Sequence, residues 1–188
     1  KGIVEENCLR FSDTKFVNDG SEREWAFQIY RQAVDELKPK VSTREADFIE
    51  GMYSEEETFR ENFRQVIFCM SADGNLLNQW RDYGKDIVPY SIELESQFFT
   101  KEHQGCAFQP WFAHLIYDQA TQKALVRHVL EGALSRMKAA WSHHSEDEIN
   151  QLKLNASFQV GLLLDRFKNS AFEAEQETRL STSFFAAT

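Results

Sequence analysis

The sequence predicts an α+β fold, a single domain of residues 1–188 in which an antiparallel or mixed sheet is flanked by several helices. Two observations favour this class. Long stretches repeat apolar residues at helical spacing, and short runs between them have the alternation and the β-forming residues of strands. The predicted helices are also grouped instead of alternating with single strands, which is typical of α+β proteins.

Capping residues and helix breakers mark the predicted helices. Three predicted starts carry a capping box, in which serine is followed three residues later by glutamate. These pairs are Ser21 with Glu24, Ser54 with Glu57 and Ser145 with Glu148. Asp118 begins the longest predicted helix, which runs to Trp141 with an apolar stripe along one side. The other helices are predicted to end at Pro39, at Gly51 and near Lys168.

Four segments have the pattern of strands. The run QVIFCMS, residues 65–71, is short, apolar and rich in β-forming residues. A turn at ADGN and a short helix in NLLNQWRDYG, which ends at Gly84, separate it from the alternating segment IVPYSIELE. The segment AFQPWFAHLIYD is predicted as a third strand, interrupted by Pro110. The closing segment, Phe167–Phe185, alternates with a period of two and is predicted as the last strand.

Composition and charge restrict the classes of function. The net charge is −9, whereas binding to DNA or RNA without sequence preference needs a basic surface. We see no membrane-spanning run and no signal peptide. Cys8, Cys69 and Cys106 form no paired motif, so we expect a reducing, cytoplasmic setting, with Cys69 buried in its apolar run. The chain starts in mid-pattern at Lys1, and we expect that a native N-terminal strand precedes it.

Acidic residues occupy one side of the closing segment. Three glutamates alternate and an arginine continues the series: Glu173, Glu175, Glu177 and Arg179. An extended strand would point all four side chains to one face. In the simpler interpretation this face is solvated. In the other, it lines a cleft where a carboxylate contacts a sugar hydroxyl or stabilises developing positive charge.

A second candidate region is FCMSADGNLLNQWRDYG. Ser71 ends the predicted strand, and the helix after it presents Trp80, Arg81 and Tyr83. These helix residues form a core face in the simpler interpretation, but Trp80 and Tyr83 carry polar tips that suit a ligand. The sequence contains no G-x-G-x-x-G, P-loop, G-x-S-x-G or H-E-x-x-H motif, and its histidines lack the spacing of a zinc site. We therefore expect no bound metal.

Four segments together resemble one bacterial family. They occur in the order FVNDGSE, IFCMSADGNLLNQWRDYG, YSIEL and FKNSAFEAEQETRL. In these segments the chain is similar to the domain-of-unknown-function family twenty-nine seventy-one. That family has an Asn-Asp turn, a Cys-aromatic-Ser strand end, a Leu-x-x-Trp-x-x-Tyr helix and an F-x-x-E-x-E-x-R strand. Met70 stands where the family usually has phenylalanine, and the family's early aromatic strand would lie upstream of Lys1.

The layout of this family resembles that of ADP-ribosyltransferase-like domains, in which a serine-bearing strand and a final glutamate surround NAD. The resemblance implies that Glu177 engages the nicotinamide ribose and supports an oxocarbenium-like transition state. It also implies that Glu175 orients the acceptor nucleophile and that Ser71 braces the catalytic glutamate.

The same resemblance implies how NAD, a small nucleotide ligand, would be held. The implied contacts are Trp80 or Tyr83 beside the nicotinamide, and Arg81 or Arg179 at phosphate.

Three hypotheses follow for the function. The first is an NAD-dependent ADP-ribosyltransferase-like enzyme that acts as a toxin or defence effector. The second is a non-catalytic binding or regulatory module, whose acidic strand meets a basic partner or water. The third is a metal-dependent nuclease with clustered acids, which would need a lysine close to the acidic pair where this strand has Arg179.

Overall fold

The computed structural model describes residues 2–6, 8–14, 20–53, 63–84, 90–95, 111–141 and 145–185. It has the predicted α+β fold. In chain order the helices and strands are α1 Gly2–Glu6, β1 Ser12–Asp13, α2 Gly20–Leu37, α3 Thr43–Glu50, β2 Phe63–Ser71, α4 Leu77–Tyr83, β3 Trp111–His114, α5 Gln119–Ala140, α6 Glu146–Leu164 and β4 Glu177–Phe185. Short 3-10 helices lie at Lys38–Lys40 and Ser170–Glu175.

Contacts along the chain group into two compact units, and the first contains the sheet. This unit comprises Lys1–Asn18, Glu56–Leu115 and Ala171–Thr188. The strand order is β1-β2-β4-β3, and every pair is antiparallel. The sheet is thus the antiparallel one of the two predicted types. β4 lies between β2 and β3 and pairs with β2 along its whole length, so side chains of β4 have neighbours on both sides.

The second unit is helical and contains the hydrophobic core. It comprises Asp19–Glu55 and Ile116–Ser170. The apolar faces of α2, α3, α5 and α6 pack together because each repeats apolar residues at helical spacing. The largest fully buried apolar side chains are Phe167, Ile29, Ile49, Met52, Leu130, Met137, Val126 and Val160. Tyr30 also lies in this core, where its hydroxyl donates to the Ile49 carbonyl, and burial raises the pKa of Tyr30.

Buried polar contacts connect the helices of the second unit. The Gln122 side chain is fully buried, and its Nε2 donates to the carbonyls of Ile116 and Lys168, the latter at 2.9 Å. Its Oε1 accepts from Trp25 Nε1 at 3.1 Å. Lys168 also forms a buried ion pair with Glu22 at 2.9 Å. Because these polar groups have partners, their burial costs little.

Two helix caps agree with the prediction and one does not. Ser145 and Glu148 form the capping box of α6. Asp118 caps α5, and its Oδ1 accepts from the Thr121 N–H at 2.8 Å. Ser21 was predicted as a cap but lies inside α2, which already includes Gly20. The predicted box of residues 54 and 57 lies outside the described residues, as does Pro110.

The strand predictions were correct in part. β2 begins at Phe63, two residues before the predicted run, and β3 covers only part of its predicted segment. The predicted strand IVPYSIELE is wrong over residues 90–95, which have no strand pairing, and residues 87–89 lie outside the described part. The predicted closing strand is wrong before Glu177, because a 3-10 helix occupies Ser170–Glu175. The proposed strand upstream of Lys1 stays a prediction.

Candidate functional site

The two central strands of the sheet, β2 and β4, bring together three of the predicted site residues where β2 ends and β4 begins. In the register of β2 with β4, Ser71 pairs with Glu177 and Cys69 pairs with Arg179. Because side chains alternate along a strand, these four residues share one face of the sheet. On the other side of β4, Ala113 of β3 pairs with Arg179. We call Ser71, Cys69, Glu177 and Arg179 the central cluster.

This part of the sheet unit buries polar side chains to an unusual degree. Its described buried apolar residues are Ile67, Ala113, Leu115 and Leu180. Its described buried polar residues are Gln65, Glu177, Thr178, Arg179 and Ser181. Buried polar and charged groups destabilise a fold unless they are paired, so their presence at the middle of a sheet calls for a structural or functional reason.

Glu177 and Arg179 form a buried ion pair. Arg179 Nε donates to Glu177 Oε1 at 2.6 Å, and the two side chains are 8% and 9% exposed for arginine and glutamate respectively. They are two residues apart on β4, so strand alternation alone places them side by side. A charge-assisted hydrogen bond of this kind fixes the position of both groups.

Ser71 binds the segment just before β4. Its Oγ donates to the Glu175 carbonyl at 2.9 Å, and the Ala72 N–H donates to the Gln176 carbonyl at 2.8 Å. The serine therefore contacts the main chain that leads into Glu177. This contact fixes the entry of β4; the bracing of a catalytic glutamate by Ser71 stays a prediction.

The glutamates of the closing segment do not share one face. Gln176 has a φ of 45°, in the left-handed region, and separates the 3-10 helix from β4. Glu173 and Glu175 belong to that helix, where Glu173 is exposed and Glu175 is half-buried. The predicted row of carboxylates along one strand is therefore wrong. Only Glu177 stands in the strand beside Arg179.

Cys69 was predicted to be buried, and this is wrong. The residue is exposed. Desolvation around its sulfur nevertheless raises the pKa of the Cys69 thiol to about 12, and the neighbouring carboxylate of Glu177 adds to the rise. The prediction failed because an apolar run of strand length was assigned to the core along its full length, whereas β2 exposes this position.

Helix α4 carries the other predicted ligand contacts. Trp80 Nε1 donates to Asn75 Oδ1 at 3.3 Å, which is a contact within its own turn, and Arg81 is exposed. The side chain of Tyr83 lies outside the described part of the structure. The structure thus brings Ser71 to Glu177 and Arg179, while the described contact of Trp80 is local.

The turn before α4 approaches the segment at residues 90–95. A Cβ atom at Gly74 would lie 2.7 Å from Ser91 Oγ, closer than real contacts allow. The Asp73 carboxylate accepts from the Asn75 N–H at 2.8 Å, which closes the turn. A side chain at position 74 would therefore require the Ser91 hydroxyl to rotate away, which shows how closely the two segments of the sheet unit approach.

Two residues of the central face were not predicted as site residues. Gln65 and Ser181 are both buried, at 7% and 4% exposure, on the face that carries Glu177. Gln65 Nε2 has no hydrogen-bond partner among the described residues. The sequence carries one signal for these two residues, which is that polar residues recur at alternate positions in parts of β2 and β4. Only the pairing register shows that these polar residues lie on one face of the sheet.

The described residues also bear on metal binding and on membrane crossing. In the described ranges, no three histidine, cysteine or acidic residues gather where they could hold a metal ion. Within the same ranges, no helix has the length and apolar content needed to cross a bilayer. Asn18, Asp19 and the paired histidines at residues 143 and 144 lie outside the described part.

Comparison with known proteins identifies the family. The family described as protein of unknown function (DUF2971) matches residues 79–180, which is more than half of the chain. The matched span includes β3, α5, α6 and the start of β4 with Glu177 and Arg179. No curated protein and no solved structure matches the sequence. The chain belongs to the DUF2971 family.

Proposed function

We propose that the protein is an ADP-ribosyltransferase-like enzyme that uses NAD as its donor substrate at the central cluster. The observation that carries this proposal is the buried contact between Glu177 and Arg179 on the strand that faces Ser71. Glu177, Arg179 and Ser71 together supply a fixed carboxylate, a cation and a hydroxyl on one face of the sheet. The expectation from the family resemblance placed the catalytic glutamate and its serine at these positions.

Glu177 is suited to the sugar that reacts. In ADP-ribosyl transfer the bond between the ribose C1′ and the nicotinamide nitrogen breaks, and nicotinamide leaves with the bonding electrons. Positive charge then develops on the ribose, and an ionised carboxylate at the ribose hydroxyls stabilises it. The acceptor's lone pair forms the new bond to C1′, and the acceptor loses a proton. Because Glu177 is held by Arg179, it has little freedom to reorient during the reaction.

Arg179 is suited to the anionic part of the donor. A guanidinium has five N–H donors in a planar group, and Nε donates to Glu177 Oε1. Diphosphate oxygens are strong acceptors that pair well with arginine. We propose that Glu175 orients the acceptor. Trp80 or Tyr83 would contact the nicotinamide, and Arg81 would contact the phosphates.

We also propose a cytoplasmic setting and a role as a bacterial toxin or defence effector.

Nicotinamide release from NAD tests the proposal. We expect the wild-type protein to release nicotinamide, and Glu177→Gln to reduce the rate about 100-fold or more per folded molecule, because the carboxylate that stabilises the transition state is lost. Glu173→Gln is the matched control, since Glu173 is exposed in the 3-10 helix, and it should keep the wild-type rate. Equal rates for the Glu177 and Glu173 variants would reject the assignment.

The second candidate is a non-catalytic binding or regulatory module. The specific observation in its favour is that Glu177 and Arg179 are each already paired with the other and more than nine-tenths buried. In such a module the pair would have a structural role only. Loss of stability in Glu177→Gln, with no nicotinamide release by the stable wild-type protein, would select this candidate.

A further inference from the structure

We propose that Gln176 is a positioning residue for the reaction, because its left-handed backbone, and not its side chain, sets Glu177 on the face that carries Ser71. This inference rests on the proposed function for its catalytic consequence. Of the residues that the structure describes, Gln176 is the only non-glycine residue with a positive φ. Such a conformation is uncommon for glutamine and costs free energy, so it persists only where the surrounding structure imposes it.

Three hydrogen bonds impose this conformation. The Gln176 N–H donates to the Glu173 carbonyl at 3.1 Å, and its own carbonyl accepts from the Ala72 N–H at 2.8 Å. The third bond is that of Ser71 Oγ to the Glu175 carbonyl at 2.9 Å. The strained residue is therefore held from both sides by the main chain and by the end of β2.

The side chain of Gln176 does not explain its conformation. It is exposed, and both hydrogen bonds described for the residue use main-chain atoms. A residue that is selected for its backbone conformation should be replaceable by any residue that tolerates a positive φ. Glycine and asparagine tolerate it, whereas the β-branched valine and isoleucine do not.

The left-handed conformation of Gln176 determines which glutamate side chain lies in the sheet. If Gln176 were extended, Glu175 and Glu177 would lie on one face, roughly 7 Å apart along the strand. With Gln176 left-handed, the alternation is interrupted, and Glu175 stays in the 3-10 helix while Glu177 pairs with Ser71. The fold thus places one glutamate at the central cluster and keeps a second carboxylate out of it, which avoids repulsion between like charges.

Substitutions at Gln176 test the inference by catalysis. We expect Gln176→Gly and Gln176→Asn to keep kcat for nicotinamide release within about threefold of wild type. Gln176→Val and Gln176→Ile should lower kcat roughly 10- to 100-fold with little change in KM for NAD, because the reacting carboxylate is misplaced. Rates are normalised to the folded fraction. Loss of kcat in the glycine variant, or full kcat in the valine variant, would overturn the inference.

A second readout does not depend on activity. In protein with the other two cysteines replaced by serine, the pH dependence of Cys69 alkylation responds to desolvation of the thiol and to the Glu177 carboxylate, which both raise the thiol pKa, while Arg179 lowers it. We expect the alkylation midpoint to move to lower pH in the valine variant and to stay unchanged in the glycine variant. If the midpoint moves but wild type releases no nicotinamide, the proposed function fails and the positioning by Gln176 stands. If the midpoint does not move, the positioning itself is wrong.

Discussion

Replacement of Glu177 by alanine should strongly destabilise the protein. The carboxylate and the Arg179 guanidinium are more than nine-tenths buried and joined by a 2.6 Å hydrogen bond, so the alanine variant leaves a buried cation without its partner. Removal of one member of such a pair costs about 3–5 kcal/mol in the free energy of unfolding. Glu177→Gln keeps an acceptor oxygen for Arg179 and loses only the charge. Its cost should be about 1–2 kcal/mol, the difference between a charged and a neutral hydrogen bond.

Urea denaturation followed by circular dichroism measures these changes, provided that the slope with denaturant is constant across the variants. The double variant Glu177→Leu with Arg179→Met removes both charges and should recover most of the loss, because an apolar pair of similar volume is often as stable as a buried ion pair. A cost below about 0.5 kcal/mol for Glu177→Ala is the size seen for exposed residues and would refute the pairing. Additive costs in the double variant would also refute it, since paired residues couple.

The buried pair also affects the outcome of a catalytic test of Glu177. From the sequence alone, an unchanged melting temperature in Glu177→Gln would separate a catalytic glutamate from a structural one. Because the structure pairs Glu177 with Arg179, both roles now predict some loss of stability. Activity per folded molecule is therefore the quantity that separates them.

Three further predictions concern stability. Ser71→Ala should cost about 1 kcal/mol in urea denaturation because the Glu175 carbonyl loses its donor; an unchanged midpoint would contradict this contact. Gln122→Leu should cost about 2 kcal/mol or more, since the Trp25 indole N–H and the Lys168 carbonyl lose their partner, while the Ile116 carbonyl keeps the Lys168 N–H; a cost below about 1 kcal/mol would show that water replaces the Gln122 side chain. Burial raises the pKa of Tyr30 above its unfolded value of about 10. The contribution of Tyr30 to the free energy of unfolding is therefore present below about pH 10 and is lost as the pH rises further, by up to about 1.4 kcal/mol per pH unit. The pH dependence of urea midpoints should be less steep in Tyr30→Phe than in wild type, and equal slopes would refute the effect.

Much of the helical unit follows from local sequence. The apolar stripe from Asp118 to Trp141 and the box of Ser145 with Glu148 predict α5 and α6 closely. These signals lie within a few residues of the feature that they specify, because a cap or a stripe acts on its own helix. The family resemblance was confirmed for the same reason, since its motifs are local patterns.

The candidate site was predicted less well because it depends on pairing between distant segments. Alternation alone suggests that Phe172 is buried and that the glutamates face water, yet Phe172 is 36% exposed and Glu177 is 8% exposed. Glu177 is buried because β4 is a central strand whose residues 177–181 are buried on both faces, and no single residue in FEAEQETRL signals the left-handed glutamine that precedes it. Likewise, Cys69 is exposed although it pairs with the buried Arg179, and the sequence of β2 by itself does not specify this difference along one face.

The most direct test of the central claim is to locate bound NAD on the isotope-labelled protein by NMR. Titration with NAD should shift the Arg179 Nε–H resonance and the amide resonances of Ser71 and Ala72, with the same saturation curve, while resonances of the helical core at Leu130 stay unchanged. Shifts that saturate elsewhere on the chain and leave Arg179 unaffected would contradict a donor site at the central cluster.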